Sequence, residues 1–339
     1  MSAIGIGVIG VGRMGQVYAY HVARQIQNAS LIAIADPRSE VTSTFAAKVG
    51  DVKVYADYHD LLANPAIQGV IITTPTNTHR EVVVAAAQAG KAIFCEKPTA
   101  LTLAETDEMI AAVSKAGVIF QVGFMRRFDR GYAEAKRQIE AGVIGKPVTV
   151  RSIGRDPYPT SLEYANPAVS GGLIVDMAIH DFDLIRWLMH DEVERVYTEV
   201  AALVYPELLT VGDVDNAMII LRFKSGGLGN VEVSRTAIYG YDIQCEIVGA
   251  EGTLRVGYLQ ETPVLTLKRE GVSHDVVPHF QQRFGAAYTT QIEHFVECLI
   301  NDHPPIVTAL DARAALKIAL AAAASQRDSR VVNVEDVQQ

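Results

Sequence analysis

Apolar residues in the first third of the chain come as short unbroken runs separated by longer amphipathic stretches. The runs are Ile4–Gly10, Leu31–Ala35, Val70–Thr74, Ala92–Cys95 and Val118–Val122. Between them, Met14–Ile26, Ser39–Val49, Thr78–Ala89 and Thr102–Ala116 read as helices. Thr102 with Glu105 three residues on is a capping-box signature. Strands that are apolar throughout are covered on both faces, and right-handed strand–helix–strand crossovers then give a doubly wound parallel sheet. An α/β domain over residues 1–123 is predicted.

The texture changes after residue 123. Pro147–Ile153, Glu194–Tyr205, Ala217–Phe223, Gly229–Thr236, Ile243–Gly249, Gly252–Val256 and Val264–Lys268 follow one another through turns such as Lys224-Ser225-Gly226-Gly227. Several alternate apolar and polar residues, as in Val231-Glu232-Val233-Ser234. Alternation means one covered face, so residues 124–339 are expected to form an α+β domain with a mostly antiparallel open sheet. A helix over Val175–Met189 interrupts the strands, and two more lie at Ala286–Ile300 and Leu310–Ser325.

With 339 residues, 49% of them hydrophobic, the chain has material for two cores. Its net charge of −9 argues against general nucleic-acid binding, which needs a basic face. No uncharged apolar run approaches the roughly 20 residues that span a bilayer, so no membrane partner is expected. Cys95, Cys245 and Cys298 are far apart and odd in number, which disfavours a disulfide framework or a cysteine-rich metal site. A reducing, cytoplasmic setting is the simplest expectation.

Gly10-Val11-Gly12-Arg13-Met14-Gly15 is a GxGxxG motif that follows one strand and opens a helix. In that context Gly10 serves the tight turn, Gly12 the approach of a pyrophosphate and Gly15 the packing of helix on strand. Asp36 ends the second strand, where a carboxylate accepts hydrogen bonds from adenosine ribose hydroxyls and repels a 2′-phosphate. The expected cofactor is therefore NAD; Arg38 keeps NADP open as a minor one. Arg13 and Met14 lie on the same turn. Thr74, Pro75, Asn77 and His79 follow the third strand and are candidates to line the nicotinamide side, against the plainer reading of a strand-to-helix turn.

Glu96-Lys97-Pro98 follows the fourth strand, at the rim where such sheets bind ligands. A lysine there can stabilise negative charge developing on a substrate oxygen; the plain alternative is a surface ion pair. Asp176, His180, Asp183 and Trp187 recur at i, i+4, i+7 and i+11, which places them on one stripe of a continuous helix. Two carboxylates and an imidazole suit proton transfer. They also suit a metal, but no third and fourth ligand recurs at matching spacing, so no metal is expected. A satisfied structural histidine is the remaining alternative.

At these residues the chain resembles the glucose–fructose oxidoreductase and inositol dehydrogenase family, over essentially its whole length. The resemblance rests on GxGxxG, Glu96-Lys97-Pro98, and Gly171-Gly172 followed by Asp176 and His180. It implies that Lys97, Asp176 and His180 are the catalytic set, that Glu96 and Lys97 also touch the cofactor, and that Lys97–Pro98 is cis. Met125–Asp129 and Tyr239–Asp242 are most similar to the myo-inositol 2-dehydrogenases. The implied reaction is NAD-linked oxidation of a ring hydroxyl of a small polyol or sugar by a homo-oligomer, commonly a homotetramer. Lys97, Arg127, Arg155, Asp156, Asp176, His180, Asp183 and Tyr241 are the candidate substrate contacts. Another inositol isomer, an aldose, an anhydrosugar, or a non-enzymatic nicotinamide sensor stand as alternatives.

Overall fold

The computed structural model describes residues 3–337. The chain divides into two compact units. Described residues through Phe128 form the first together with Ala286–Arg313; Asp129–Gly285 and the described residues from Ala314 onward form the second.

The strands of the first unit are β1 (Ile4–Ile9), β2 (Ala29–Ala35), β3 (Lys53–Tyr55), β4 (Gly69–Ile72), β5 (Ala92–Cys95) and β6 (Phe120–Val122). Its helices are α1 (Arg13–Arg24), α2 (Ser39–Val49), α3 (Tyr58–Leu62), α4 (His79–Gln88) and α5 (Leu103–Ala116). The sheet runs β3-β2-β1-β4-β5-β6 with every neighbour parallel. β4 and β5 are buried at every position, which is why they read as unbroken apolar runs. The Thr102–Glu105 capping box forms: the Glu105 N–H donates to Thr102 Oγ1 at 3.2 Å and the Thr102 N–H to Glu105 Oε2 at 3.1 Å. The strand order reverses on either side of β1, so the carboxyl ends of β1 and β4 open the crevice where doubly wound sheets take ligands.

The second unit begins with α6 (Arg130–Glu140), β7 (Pro147–Arg155), α7 (Leu162–Ala165) and α8 (Pro167–Ser170). A π-helical turn, Leu173–Met177, leads into α9 (Ile179–Met189). There follow β8 (Val193–Ala201), β9 (Asn216–Phe223), β10 (Leu228–Ser234), β11 (Asp242–Gly249), β12 (Thr253–Val256) and the small hairpin β13 (Thr266–Lys268) and β14 (Gly271–Ser273). The last elements are α10 (Phe280–Asn301), α11 (Ala309–Asp328) and β15 (Val332–Asn333).

The large sheet of this unit, β12-β11-β7-β10-β9-β8-β15, is mixed: β7 and β10 are parallel and the other neighbouring pairs are antiparallel. Parallel neighbours need a long crossover, and the segment between Arg155 and Leu228, carrying α9 and the β8–β9 hairpin, supplies it. Alternation in β9 is as read: Ala217, Ile219, Leu221 and Phe223 are buried, while Met218 and Ile220 face out. One correction concerns the helix over Val175–Met189. It starts at Ile179, because the Ala178 N–H reaches back five residues to the Leu173 carbonyl and inserts the π turn. Asp176 therefore lies in the π turn, and His180, Asp183 and Trp187 lie on α9.

Candidate active site

The chain leaves β1 through Gly10, whose φ of +89° suits a residue without a Cβ. A Cβ on Gly15 would overlap the Gly10 carbonyl oxygen, so the first turn of α1 lies against the strand end only because both are glycines. Gly12 is the N-cap of α1 and has no side chain to cap it, and a Cβ placed there would meet nothing within 4 Å. Backbone N–H groups at a helix start, with open space before them, fit a diphosphate. Thr73 Oγ1 donates to the Gly10 carbonyl at 2.6 Å and ties the end of β4 to this turn.

Asp36 is buried at the end of β2. Its Oδ2 accepts from the Val11 N–H at 2.8 Å, joining it to the glycine turn. Arg38 closes on it from outside, Nε to Oδ1 and Nη2 to Oδ2, each at 2.8 Å. Burial pushes the Asp36 carboxyl up, but the Arg38 guanidinium and backbone donors outweigh it and hold the group below its ordinary range.

Of the residues after β4, Pro75 and Asn77 are exposed. Thr78 Oγ1 donates to Thr74 Oγ1 at 2.8 Å and to the Pro75 carbonyl at 2.7 Å. His79 is buried, with Nδ1 2.8 Å from the Pro98 carbonyl and Nε2 2.8 Å from the Thr74 carbonyl. Its ring thus braces the Thr74 turn against the loop that carries Lys97. The Lys97–Pro98 bond is cis. Glu96 is buried, and its Oε2 accepts from the Lys97 N–H at 3.1 Å. Its Oε1 accepts from the Tyr18 hydroxyl, and Gln291 Nε2 donates to that hydroxyl at 2.7 Å. Burial, then the Glu96 charge, pushes the Tyr18 phenol well up, so it stays a donor. Arg127 also belongs to the first unit, where Nη2 donates to Asp311 at 2.9 Å.

In the second unit Arg155 ends β7, Asp156 follows it, and Asp176 faces Arg235, which follows β10. Arg155 donates to Glu232 through Nε at 2.7 Å and to the Tyr239 hydroxyl through Nη1 at 3.1 Å. The Asp156 N–H binds the Ser234 carbonyl at 2.8 Å. Tyr241 is buried edge-on to Phe280 and Phe284, and the Tyr239 hydroxyl meets Arg155 and Asp242. Asp176 Oδ1 accepts from the Tyr164 hydroxyl at 3.0 Å. Its Oδ2 faces Arg235 Nη2 at 3.8 Å, and Arg235 Nη1 donates to Asp213 at 2.7 Å. His180 is half-buried and Asp183 fully buried on α9. Tyr18, Tyr164, Asp213 and Arg235 carry no local motif, and sequence reading passed over them because their partners lie 12 to 78 residues away.

No helix among the described residues is long and apolar enough to cross a membrane. Residues 4–124 match the profile described as oxidoreductase family, NAD-binding Rossmann fold, and residues 136–334 match that of the oxidoreductase family C-terminal alpha/beta domain. The chain is 40% identical over 333 residues to a myo-inositol 2-dehydrogenase of Thermotoga maritima, covering 98% of this chain and 99% of that one. It is 40% identical over 328 residues to the scyllo-inositol 2-dehydrogenase (NAD(+)) of Bacillus subtilis, covering 97% and 95%. The structure matches a scyllo-inositol dehydrogenase from Lactobacillus casei, solved with NAD(H) and scyllo-inositol, at a TM-score of 0.94 and 30% identity over 99% of this chain and all of that one. The glycine turn, Asp36, the Lys97 loop and these matches lead to one conclusion: the chain belongs to the glucose–fructose oxidoreductase and inositol dehydrogenase family and is an NAD-dependent oxidoreductase acting on a CH–OH group.

Proposed function

We propose that this enzyme oxidises a ring hydroxyl of an inositol, taking myo-inositol to its 2-keto product. The observation that carries this reading is the equal likeness, 40% identity over nearly the whole chain, to one relative named for myo-inositol and one named for scyllo-inositol. Those two cyclitols differ only at carbon 2, and oxidation there gives the same ketone from both.

Bound NAD would supply the hydride acceptor for the carbon that bears the hydroxyl. Gly10, Gly12, Arg13, Met14 and Gly15 hold the diphosphate, Asp36 the adenosine ribose, and Thr74, Pro75, Asn77 and Glu96 the nicotinamide end. His79 serves the same end indirectly, through the two carbonyls it spans. His180 accepts the hydroxyl proton as general base. Lys97 donates to that oxygen and stabilises alkoxide charge as it develops. Asp176 orients the polyol and favours the imidazolium that forms on His180. Arg155, Asp156 and Asp183 supply further polar contacts. The assembly is a homotetramer closed through the outward face of the second unit's sheet, where Met218 and Ile220 are 56% and 59% exposed. The three buried cysteines suit a cytoplasmic setting.

The test is NADH formation over a panel of myo-, scyllo- and D-chiro-inositol, glucose and an anhydrosugar. The expected result is the highest kcat/KM with myo-inositol, then scyllo-inositol, with one common ketone as product. A clear preference for glucose or the anhydrosugar, or no turnover of any polyol, overturns the reading.

A further inference from the structure

The turn that presents Asp176 is built around a buried ion pair. Asp213 and Arg235 are 4% and 3% exposed, and Arg235 Nη1 donates to Asp213 Oδ2 at 2.7 Å. The other oxygen of Asp213 accepts from the Leu173 N–H at 2.8 Å, which is the first residue of the π turn Leu173–Met177. Gly172, just before it, has φ of +67°, and a Cβ there would come within 2.7 Å of Asp213 Oδ1. The second glycine of Gly171-Gly172 is thus what lets Asp213 reach the turn.

The same guanidinium that Asp213 anchors faces Asp176 Oδ2 through Nη2 at 3.8 Å. From the opposite side the Tyr164 hydroxyl donates to Asp176 Oδ1 at 3.0 Å. Both carboxylate oxygens are therefore addressed by side chains from different elements, the end of β10 and the short helix α7. A carboxylate addressed on both oxygens has little freedom to rotate, whereas a lone aspartate on a π turn has two χ angles to explore. The planar guanidinium matters: it can meet Asp213 and Asp176 with two different nitrogens, which a single ammonium cannot do.

We propose that Arg235 and Tyr164 are positioning residues of the reaction, holding the carboxylate of Asp176 in its working orientation, with Asp213 as the anchor that fixes Arg235 and the start of the π turn. This rests on the reading that Asp176 serves an NAD-dependent polyol oxidation.

Tyr164 is 40% exposed, so Tyr164→Phe removes one hydroxyl without opening the core. Arg235→Lys keeps a charge for Asp213 but gives up the second nitrogen. Each is measured for Tm, for NAD binding by fluorescence titration, and for kcat and KM with myo-inositol. Misplacing a group in an active site by about 1 Å costs on the order of 100-fold in rate. Arg235→Lys is therefore expected to lose about 10- to 100-fold in kcat/KM and Tyr164→Phe about 3- to 10-fold, both with unchanged NAD affinity. The decisive readout is a cycle with Asp176→Ala: residues that act through Asp176 lose their effect once it is gone, whereas a merely structural loss persists. If both variants retain wild-type kcat/KM, or if the Tyr164→Phe loss is as large in the Asp176→Ala background, the proposal is wrong. Should Arg235→Lys fail to fold, Tyr164→Phe and its cycle decide alone. A wild-type enzyme that turns over no polyol with NAD overturns instead the functional reading beneath it.

Discussion

Arg38 grips the carboxylate of Asp36 with both arms of its guanidinium, Nε on Oδ1 and Nη2 on Oδ2, each at 2.8 Å. The side chain that would otherwise attract a 2′-phosphate is thereby committed to the carboxylate that repels one. Asp36→Ala removes the proposed ribose acceptor and releases Arg38, which is 60% exposed. Steady-state kinetics with both cofactors should show kcat/KM for NAD falling by about 10- to 100-fold, in line with 1.4 kcal/mol per tenfold. The value for NADP should rise. An unchanged NAD preference would show that discrimination lies elsewhere.

His180→Ala should reduce turnover by about 10²- to 10⁴-fold, the usual contribution of a general base, while leaving NAD affinity within twofold. In the wild type the rate should rise with pH, because the base must be neutral to accept a proton; in the variant that limb should disappear. Lys97→Ala should lose turnover to a similar extent, since the proposed mechanism has it act on the same oxygen. A variant at position 180 that keeps both its rate and its pH limb would exclude the imidazole as the base.

Asp215 accepts from the backbone N–H groups of Leu203, Val204 and Tyr205 at 2.9, 2.7 and 2.7 Å, and from Asn216 Nδ2 at 2.7 Å. Burial raises its pKa, but these donors outweigh burial and leave the carboxyl below its ordinary value. A depressed folded value contributes stability that is complete above the unfolded pKa, about 3.9, and fades as pH falls through the folded value. Asp36 and Asp311 are shifted the same way, Asp311 by Arg127 and Thr308 against the opposing effect of burial. Thermal melts should therefore be flat from pH 7 to about 5 and drop steeply below 4. Asp215→Asn should lower stability by about 1–3 kcal/mol at pH 7 and make the acid drop shallower. A variant whose melting profile parallels that of the wild type would rule this contribution out.

Met218 and Ile220 stand on the outward face of β9, at positions paired with Glu199 and Tyr197 of β8. If that face closes the oligomer, Ile220→Asp should shift the light-scattering mass from a multiple of 36.7 kDa towards that single-chain value. Secondary structure by circular dichroism should not change. A wild-type mass near 36.7 kDa at micromolar concentration would remove the basis for any such interface.

What sequence alone determined were the features whose physics is local. The glycine turn and its helix, Asp36 at a strand end, the Thr102–Glu105 cap and the apolar strands of the first sheet are each set by residues within a few positions of one another. Short elements escaped: β3 and α3 span three and five residues, too few for a period to register. Only tertiary structure decided the rest. The parallel pairing of β7 with β10 depends on where a crossover of more than 70 residues returns, which no window along the chain contains. The π turn before α9, which carries Asp176, is held by Asp213, 40 residues on from Leu173, through the Leu173 N–H. Arg127 finds Asp311 across 184 residues, and Tyr18 finds Glu96 across 78. Buried polar groups must be paired, but which partner pairs them is settled only when the core closes, because that requirement constrains burial and geometry rather than sequence distance.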